Sequence, residues 1–441
     1  MKNILIAIRS IFKKGRHNVM KIVSLGIGLA VGLVLIAKVY FEQSYDDFYP
    51  DRDRVYQVWA KYQQNGGELK DYPQTSGGIA PTMQQQIPEI ETVTRYTSFG
   101  DWTFTMTDTK MKYSGRCIIA DSCFFDILPR PMLIGNAKEV LSTPMYVLIS
   151  SRIAKNIGGD VIGKNFTVDN SPGRTMTIGG VFEEVPENSH SRYDVIVSMA
   201  SAGRFMWEGS PTNMLGNDRY ISYVKLHKGV NPLALEEQVR TFVNSYFPPE
   251  EQQKVGLSID FSFHKLDNLH KELPQVKRMT WILSLLAFAL IFTAVMNYIL
   301  IVISSIVNRS KEVAVHKCYG ASENNIHGMM FGEALVHIVL SLILALLLIL
   351  AFRGTVEELL ATSLDSLLLS NGSLVLLGIC ILVFFVSGFM PGSLYARIPV
   401  ASAFRNYREN KRIWKKALLL VQFVATGFLV TMLVFVARQY T

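Results

Sequence analysis

Few residues in this 441-residue sequence stand at spacings that support chemistry. Gly158, followed at four intervening residues by Gly163-Lys164, comes near a phosphate-binding loop, but Asn165 stands where a Ser or Thr must hold magnesium. A turn between strands is the ordinary reading. His190, His227, His264 and His270 lack metal-ligand spacing and read as surface residues. Cys117 and Cys123 are candidates for a disulfide, which spacing alone cannot decide. Glu333 and His337 lie one helical turn apart in an apolar run and could share a proton, as in membrane relays. Glu333 sits near the cytoplasmic end of that run, where pairing with Arg309 or Lys311 is the favoured reading. No set of nucleophile, base, cofactor or metal ligands emerges, so no catalytic, cofactor-binding or metal residues are expected and an enzyme is disfavoured.

The elements that carry these residues are mostly membrane helices. Charged residues make up 18% of the chain and hydrophobic ones 49%, where a soluble domain carries about 25% charged residues. The shortfall is concentrated in five apolar runs, each near the roughly 20 residues a helix needs to cross a bilayer. They are expected at 22–41, 279–307, 333–352, 372–396 and 417–437. Lys38, near one end of the first, can snorkel to the interface. Ser24, Gly28 and Gly32 recur every four residues there and allow close helix contact, within the chain or across a dimer. Asn297 is placed to hydrogen-bond a neighbouring helix, and Pro391 to kink the fourth span.

Charge sets the orientation. Residues 1–21 hold six bases and no acid, 304–329 three bases and two acids, 396–416 seven bases and one acid. The large segment 42–278 holds 25 bases and 29 acids. Five spans put the three basic segments on one side, which the positive-inside rule makes cytoplasmic. Segment 42–278 is then extracytoplasmic, so the net charge of +8 reports topology and implies no nucleic-acid partner. A cleavable signal peptide is disfavoured by the 21-residue basic region and the lack of a small-x-small site.

Ile4, Leu5, Ile8, Ile11 and Phe12 form a helical stripe with bases off it, which predicts an interfacial amphipathic helix at 1–21. A second stripe, Val400, Ala403, Phe404 and Tyr407, predicts another at 397–416, again followed by bases and a span. The fifth span is therefore expected to begin a second copy of the unit, which stops at Thr441 because the chain is either a fragment or a short form.

Segment 42–278 reads as mixed α/β. Two β-α-β blocks, near 50–100 and 219–265, flank a strand-rich insertion at about 102–199 and suggest two subdomains, one inserted in the other. The fold class expected is five transmembrane helices with a large mixed α/β extracytoplasmic domain between the first two.

The run Asn308-Arg309-Ser310-Lys311-Glu312, His316-Lys317, Gly320-Ala321-Ser322 and Glu333 resembles the signature of MacB- and FtsX-type (type VII) ABC transporter permeases. Ser44-Tyr45-Asp46, Arg54-Val55-Tyr56, Ala120-Asp121, Phe124-Phe125, Ile162-Gly163-Lys164 and Val185-Pro186-Glu187-Asn188-Ser189-His190 are similar to that family's periplasmic core domain. The resemblance covers nearly the whole chain. It implies a permease in the bacterial inner membrane with its N-terminus cytoplasmic, paired with a second permease (homo- or heterodimer) on an ABC ATPase. No cofactor is bound by this chain, and ATP is used by the partner subunit. Periplasmic partner proteins are further candidates. The resemblance places a coupling helix at about Ala321–Met329, within a cytoplasmic coupling region at 308–332. Its partner-facing residues are expected to be Glu312, Lys317, Gly320, Ala321, Ser322, Glu323, Asn324, Ile326 and His327. Ile306–Cys318 contains no breaker, so the second span is expected to continue past the membrane as a rigid lever. Export and mechanotransmission are both functions of the resembling family. The competing class is a membrane receptor whose periplasmic domain binds a ligand without an ATPase.

Overall fold

The computed structural model describes residues 17–169, 171–368, 372–396 and 413–440. The two amphipathic stripes, at 1–16 and Val400–Tyr407, and the repeat they suggest lie outside the described residues. Chain contacts divide the molecule into two units, Ser44–Leu273 and the helical segments on either side of it.

The helical unit opens with α1 (Asn18–Gln43). In Ser44–Leu273 the strands are β1 (Val55–Gln64), β2 (Leu69–Tyr72), β3 (Ile90–Met106), β4 (Lys112–Ala120), β5 (Met132–Ile134), β6 (Tyr146–Ser150), β7 (Asn165–Val168), β8 (Ser171–Phe182), β9 (Val195–Ser198), β10 (Ile221–Leu226) and β11 (Leu257–Lys265). They form one sheet in the order β11-β1-β10-β3-β4-β9-β6-β8-β5, with β2 on β1 and β7 on β3 and β8. Pairs β4–β9 and β6–β8 are parallel; every other pair is antiparallel.

One continuous sheet runs through both expected regions. β3 pairs with β10 through Ile90–Tyr96 and with β4 from Tyr96 onward, so a single 17-residue strand belongs to both regions. The packing against the sheet does change along it. Helices α2 (Ile79–Gln86) and α3 (Glu236–Tyr246) cover one end, where Ile79, Met83, Val239 and Phe242 meet Val58, Val93 and Val224. Further along, successive side chains point to opposite faces, and both faces are apolar. Ile118, Leu148 and Ile196 enter one core, while Ile119, Val147, Ile149, Val195 and Val197 enter another. Sheets buried on both faces read as continuous apolar strands, which is what β4, β6 and β9 contain.

The chain then re-enters the helical unit. α4 (Pro274–Ser304), α5 (Ile306–Cys318), α6 (Glu323–Ala351), α7 (Arg353–Leu360), α8 (Leu364–Leu368), α9 (Ser373–Ala396) and α10 (Ile413–Tyr440) follow in order. Among the described residues α1, α4, α6 and Ser373–Ser393 of α9 are long and apolar enough to cross a membrane. The described apolar stretch of α10 is shorter, Leu419–Phe428. Pro391 lies inside α9.

Side-chain neighbours fix the helix directions. A Cβ at Gly28 would stand 2.2 Å from the Ala294 Cβ, and one at Gly32 2.4 Å from Ile291 Cγ1. α1 and α4 therefore run antiparallel in close contact, and the small residues of α1 pack within the chain. Lys21 meets Glu333 and a Cβ at Gly26 would meet Leu344, so α1 and α6 run in the same direction. α9 runs back, with Gly372 against Tyr40 and Gly392 against His327.

Candidate functional site: the coupling region and its anchors

The lever expected from the second span is interrupted. α4 ends at Ser304 and α5 starts at Ile306. At the junction Ser304 Oγ donates to the Ile301 carbonyl at 2.8 Å and Ser305 Oγ to the Val302 carbonyl at 2.6 Å. Such back-bonding competes with the helix ladder and bends helices, and it coincides here with a one-residue interruption at Ser305, which keeps right-handed helical backbone.

α5 ends in a Schellman motif. The Ala321 N–H donates to the His316 carbonyl and the Gly320 N–H to the Lys317 carbonyl, both at 3.0 Å. Gly320 adopts φ +85°, a left-handed conformation that costs glycine little. Ser322 then caps the next helix, its Oγ accepting from the Asn325 N–H at 3.3 Å, and the Glu323 carboxylate lies in the first turn, where it favours the helix dipole. The helix so started is α6, which runs from Glu323 to Ala351. The segment expected to form a short coupling helix is instead the first turns of the long apolar helix α6.

Gly320, Ser322, Glu323 and Asn324 are exposed; Glu312, Lys317 and Ala321 are half-buried. Ile326 is buried in the helical core, and the His327 ring lies 6.2 Å from that of Phe389 in α9. These last two face the bundle, because they share the inward stripe of α6 with Met330, Glu333 and His337. Sequence reasoning passed over Tyr319, which is 89% exposed between Cys318 and Gly320. An aromatic side chain beside a helix-terminating Gly was the available signal.

Polar contacts tie the helices together. Lys21 Nζ lies 3.7 Å from Glu333 Oε1 and 3.2 Å from Asn18 Oδ1. The partner of Glu333 shown here is Lys21, reached because the inward stripe of α6 faces α1; the Arg309 and Lys311 side chains lie outside the described set. His337 Nδ1 is 3.1 Å from the Tyr298 hydroxyl on α4, and Ser341 Oγ donates to the Ile22 carbonyl at 3.1 Å. Gln422 of α10 donates to Asn297 Oδ1 at 3.0 Å. Lys38 does not snorkel outward. It is buried, 2.6 Å from Glu42 and 2.7 Å from Thr362 Oγ1, since the α7–α8 turn brings Thr362 over it. Ser24 is half-buried on α1.

In Ser44–Leu273 the sequence motifs meet as a lock. Asp46 takes φ +61° and is fully buried. Its N–H donates to the Asn188 carbonyl at 2.9 Å, and its carboxylate accepts from Ser189 Oγ and from the His190 N–H, both at 3.2 Å. His190 is therefore no surface residue: its Nδ1 is 2.8 Å from Asp46 Oδ2 and its Nε2 is 2.5 Å from the Tyr223 hydroxyl. Burial pushes the Tyr223 phenol well above its usual range and Tyr96, beside it, up to about 12. Tyr223 thus keeps its proton inside this contact. His264 stacks on Trp59 and His270 on Tyr45, whereas His227 is exposed.

The phosphate-loop candidate is a turn, with Lys164 Nζ 3.4 Å from the Gly158 carbonyl and the Gly163 N–H donating to Ile178. Cys117 and Cys123 are thiols. Cys117 is buried in the sheet core, and the Cys123 thiol donates to the Val93 carbonyl at 3.1 Å. Among the described residues no group of His, Cys, Asp and Glu could hold a metal ion.

Long apolar helices with a large α/β domain inserted after the first fit a polytopic membrane protein. Residues 284–400 match the family model described as FtsX-like permease C-terminal. The chain is 33% identical to a domain of a Porphyromonas gingivalis protein assigned as a permease, with 49% of this chain and 91% of that one covered and a TM-score of 0.45. The chain belongs to the FtsX-like permease family, the MacB/FtsX-type permeases of ABC transporters. It is also similar to the periplasmic region of MacB from Actinobacillus actinomycetemcomitans (14% identity, 50% of this chain and 92% of that one, TM-score 0.35). The extracellular domain of the noncanonic ABC-type transporter YknZ from Gram-positive bacteria is similar too (11% identity, 46% and 98%, TM-score 0.33). No curated protein matches the chain. The protein is thus an FtsX-like permease whose long apolar helices fit a membrane protein with a large α/β domain between the first two.

Proposed function

We propose that this chain is the permease subunit that couples ATP hydrolysis by a separate ABC ATPase to conformational change in its periplasmic domain, for export or mechanical signalling. The observation that carries this reading is the Gly320–Ser322 junction. It presents an exposed corner, stiffened by a Schellman motif on one side and a serine cap on the other, at the start of a helix that continues unbroken through the membrane. A partner docked on Tyr319, Ser322, Glu323 and Asn324 can move that helix as a rod. Glu312, Lys317, Gly320 and Ala321 frame the same corner.

The orientation supported is five spans with the N-terminus cytoplasmic in the inner membrane. Lys21, Glu333, His327 and Gly392 lie at one end of the bundle, and in sequence they stand next to the basic segments 1–21, 304–329 and 396–416. ATP is used by the partner subunit, and a second permease, identical or related, completes the assembly. The domain assignments follow the same order: first span, periplasmic domain, second span, coupling region, then the remaining spans.

Affinity purification of the chain from its native membrane tests this. An ABC ATPase is expected in stoichiometric amount, and replacing Gly320-Ala321-Ser322 with a bulky acidic triplet is expected to remove it. Full retention of the ATPase by that variant would falsify the coupling role of the corner.

A further inference from the structure

One cavity of the domain Ser44–Leu273 is lined for an anion. Its volume is about 470 Å³, within the roughly 300–1,000 Å³ of small-molecule sites. Arg116 and Arg192 line it, with His190 and His270, and no Asp or Glu does. Arg116 Nε lies 3.9 Å from Asp101, and both of those side chains are more than half exposed, a geometry in which an ion pair contributes little. The exposed Arg192 guanidinium donates to the Glu187 main-chain carbonyl, a neutral acceptor. An adjoining cavity shares both arginines and does hold acids, but Asp194 and Glu184 there pair with Arg152 at 2.6 and 3.3 Å. Guanidinium groups match the oxygens of phosphate and carboxylate, so two of them on a wall without acid favour an oxyanion.

The remaining walls are aromatic and apolar. The Tyr45 and His270 rings stack with 3.4 Å between centroids, and Trp59 lines the same space. Leu269 and Leu273 complete the rim, and Leu273 is 43% exposed. A small soluble anion gains nothing from exposed leucine, whereas an amphiphile with an anionic head does. Chain position points the same way. Tyr45 is the second residue after α1 and Leu273 the last before α4. The cavity wall therefore includes both ends of the domain chain, where it meets helices long and apolar enough to cross a membrane. Lipid headgroups lie at the ends of such helices, and Tyr and Trp are enriched at that level.

We propose that this cavity binds the phosphate headgroup of an anionic phospholipid, Arg116 and Arg192 holding the phosphate oxygens while Leu269 and Leu273 meet the apolar part next to it. A bound lipid then engages both ends of the domain chain at once. No ATPase takes part, so this binding is separable from the coupling role.

The full chain in a neutral detergent is titrated with dioctanoyl phosphatidylglycerol, and bound lipid is counted by native mass spectrometry. Wild type is expected to hold one molecule at the high-affinity site. Arg116→Gln/Arg192→Gln changes two exposed side chains and is expected to weaken that binding at least tenfold, about the loss of one charge-assisted hydrogen bond. Lys277→Gln/Arg278→Gln removes the same charge from exposed positions at the start of α4 that do not line the cavity, and is expected to change affinity less than twofold. Wild-type affinity in the arginine variant overturns the site, and so does equal loss in the two double variants, which marks diffuse attraction to a basic surface. Glycerol phosphate, the same kind of anion without acyl chains, separates the two sources. It is expected to compete at least tenfold more weakly than the lipid, and Leu273→Gln is expected to weaken the lipid while leaving glycerol phosphate unchanged. Equal affinity for lipid and glycerol phosphate overturns the lipid assignment in favour of a soluble phosphate ester.

Discussion

His190 is held from both sides, its Nδ1 2.8 Å from Asp46 and its Nε2 2.5 Å from the Tyr223 hydroxyl. Asp46 lies three residues after α1, His190 on the loop before β9 and Tyr223 on β10, so one imidazole ties the entry of the domain to its sheet. Replacing it removes the ring partner of the Tyr223 hydroxyl and one of the three hydrogen-bond partners of the Asp46 carboxylate, which keeps Ser189 Oγ and the His190 main-chain N–H; a buried group left short of a partner costs about 1–3 kcal/mol. His190→Ala is expected to destabilise the domain by about 3 kcal/mol, and Asp46→Asn by less, since the amide still accepts from Ser189. Hydrogen exchange over 44–273 in the full chain measures both.

Asp51 carries an acid-dependent part of domain stability. Its carboxylate bonds Arg54 first and Lys225 second, at 3.0 and 2.6 Å, and these hold it below the usual carboxylate range. A depressed folded value means the stabilisation is complete above the unfolded value of about 3.9 and is lost as pH falls through the lower folded one. Asp51→Asn is expected to flatten the stability profile between about pH 4 and pH 2 and to lower stability at neutral pH. Unfolding followed by tryptophan fluorescence at a series of pH values reads both changes; an unaltered acid limb excludes Asp51 as a source.

Much of this was legible in the sequence, and the failures have physical causes. Apolar runs exposed the membrane helices because lipid leaves the backbone no partner but itself. Gly320 and Ser322 announced a helix stop and a helix start. The interruption at Ser305 was hidden because the serine back-bonds found there form only in a given side-chain rotamer. His190 was misread since its partners, Asp46 and Tyr223, are 144 and 33 residues away. Lys38 was misread because Thr362, its second partner, stands 324 residues further along. Local pattern reports periodicity and caps; it does not report which polar groups meet across the fold.

Tyr319 should be the aromatic anchor of the ATPase contact. It is 89% exposed next to the Schellman turn, and aromatic side chains dominate interface energetics. Tyr319→Ala is expected to weaken ATPase binding by about 2 kcal/mol, roughly thirtyfold, and Tyr319→Phe by much less. Titration of the purified ATPase onto nanodisc-held permease gives the numbers. Equal affinities for wild type and Tyr319→Ala would remove this residue from the interface.

Gly28 sets how closely the first two spans approach. A Cβ there would lie 2.2 Å from the Ala294 Cβ, closer than two carbons can come without moving a helix. Gly28→Val should therefore push α1 from α4, at about the 1–3 kcal/mol of an overpacked core. Since the clash is with a methyl group, Ala294→Gly should relieve part of it. The expected order of thermal stability in detergent is wild type, then Gly28→Val/Ala294→Gly, then Gly28→Val alone. A Gly28→Val chain as stable as wild type would mean that α1 and α4 are not packed against each other at this point, and no rescue by Ala294→Gly would mean that the clash lies with another neighbour.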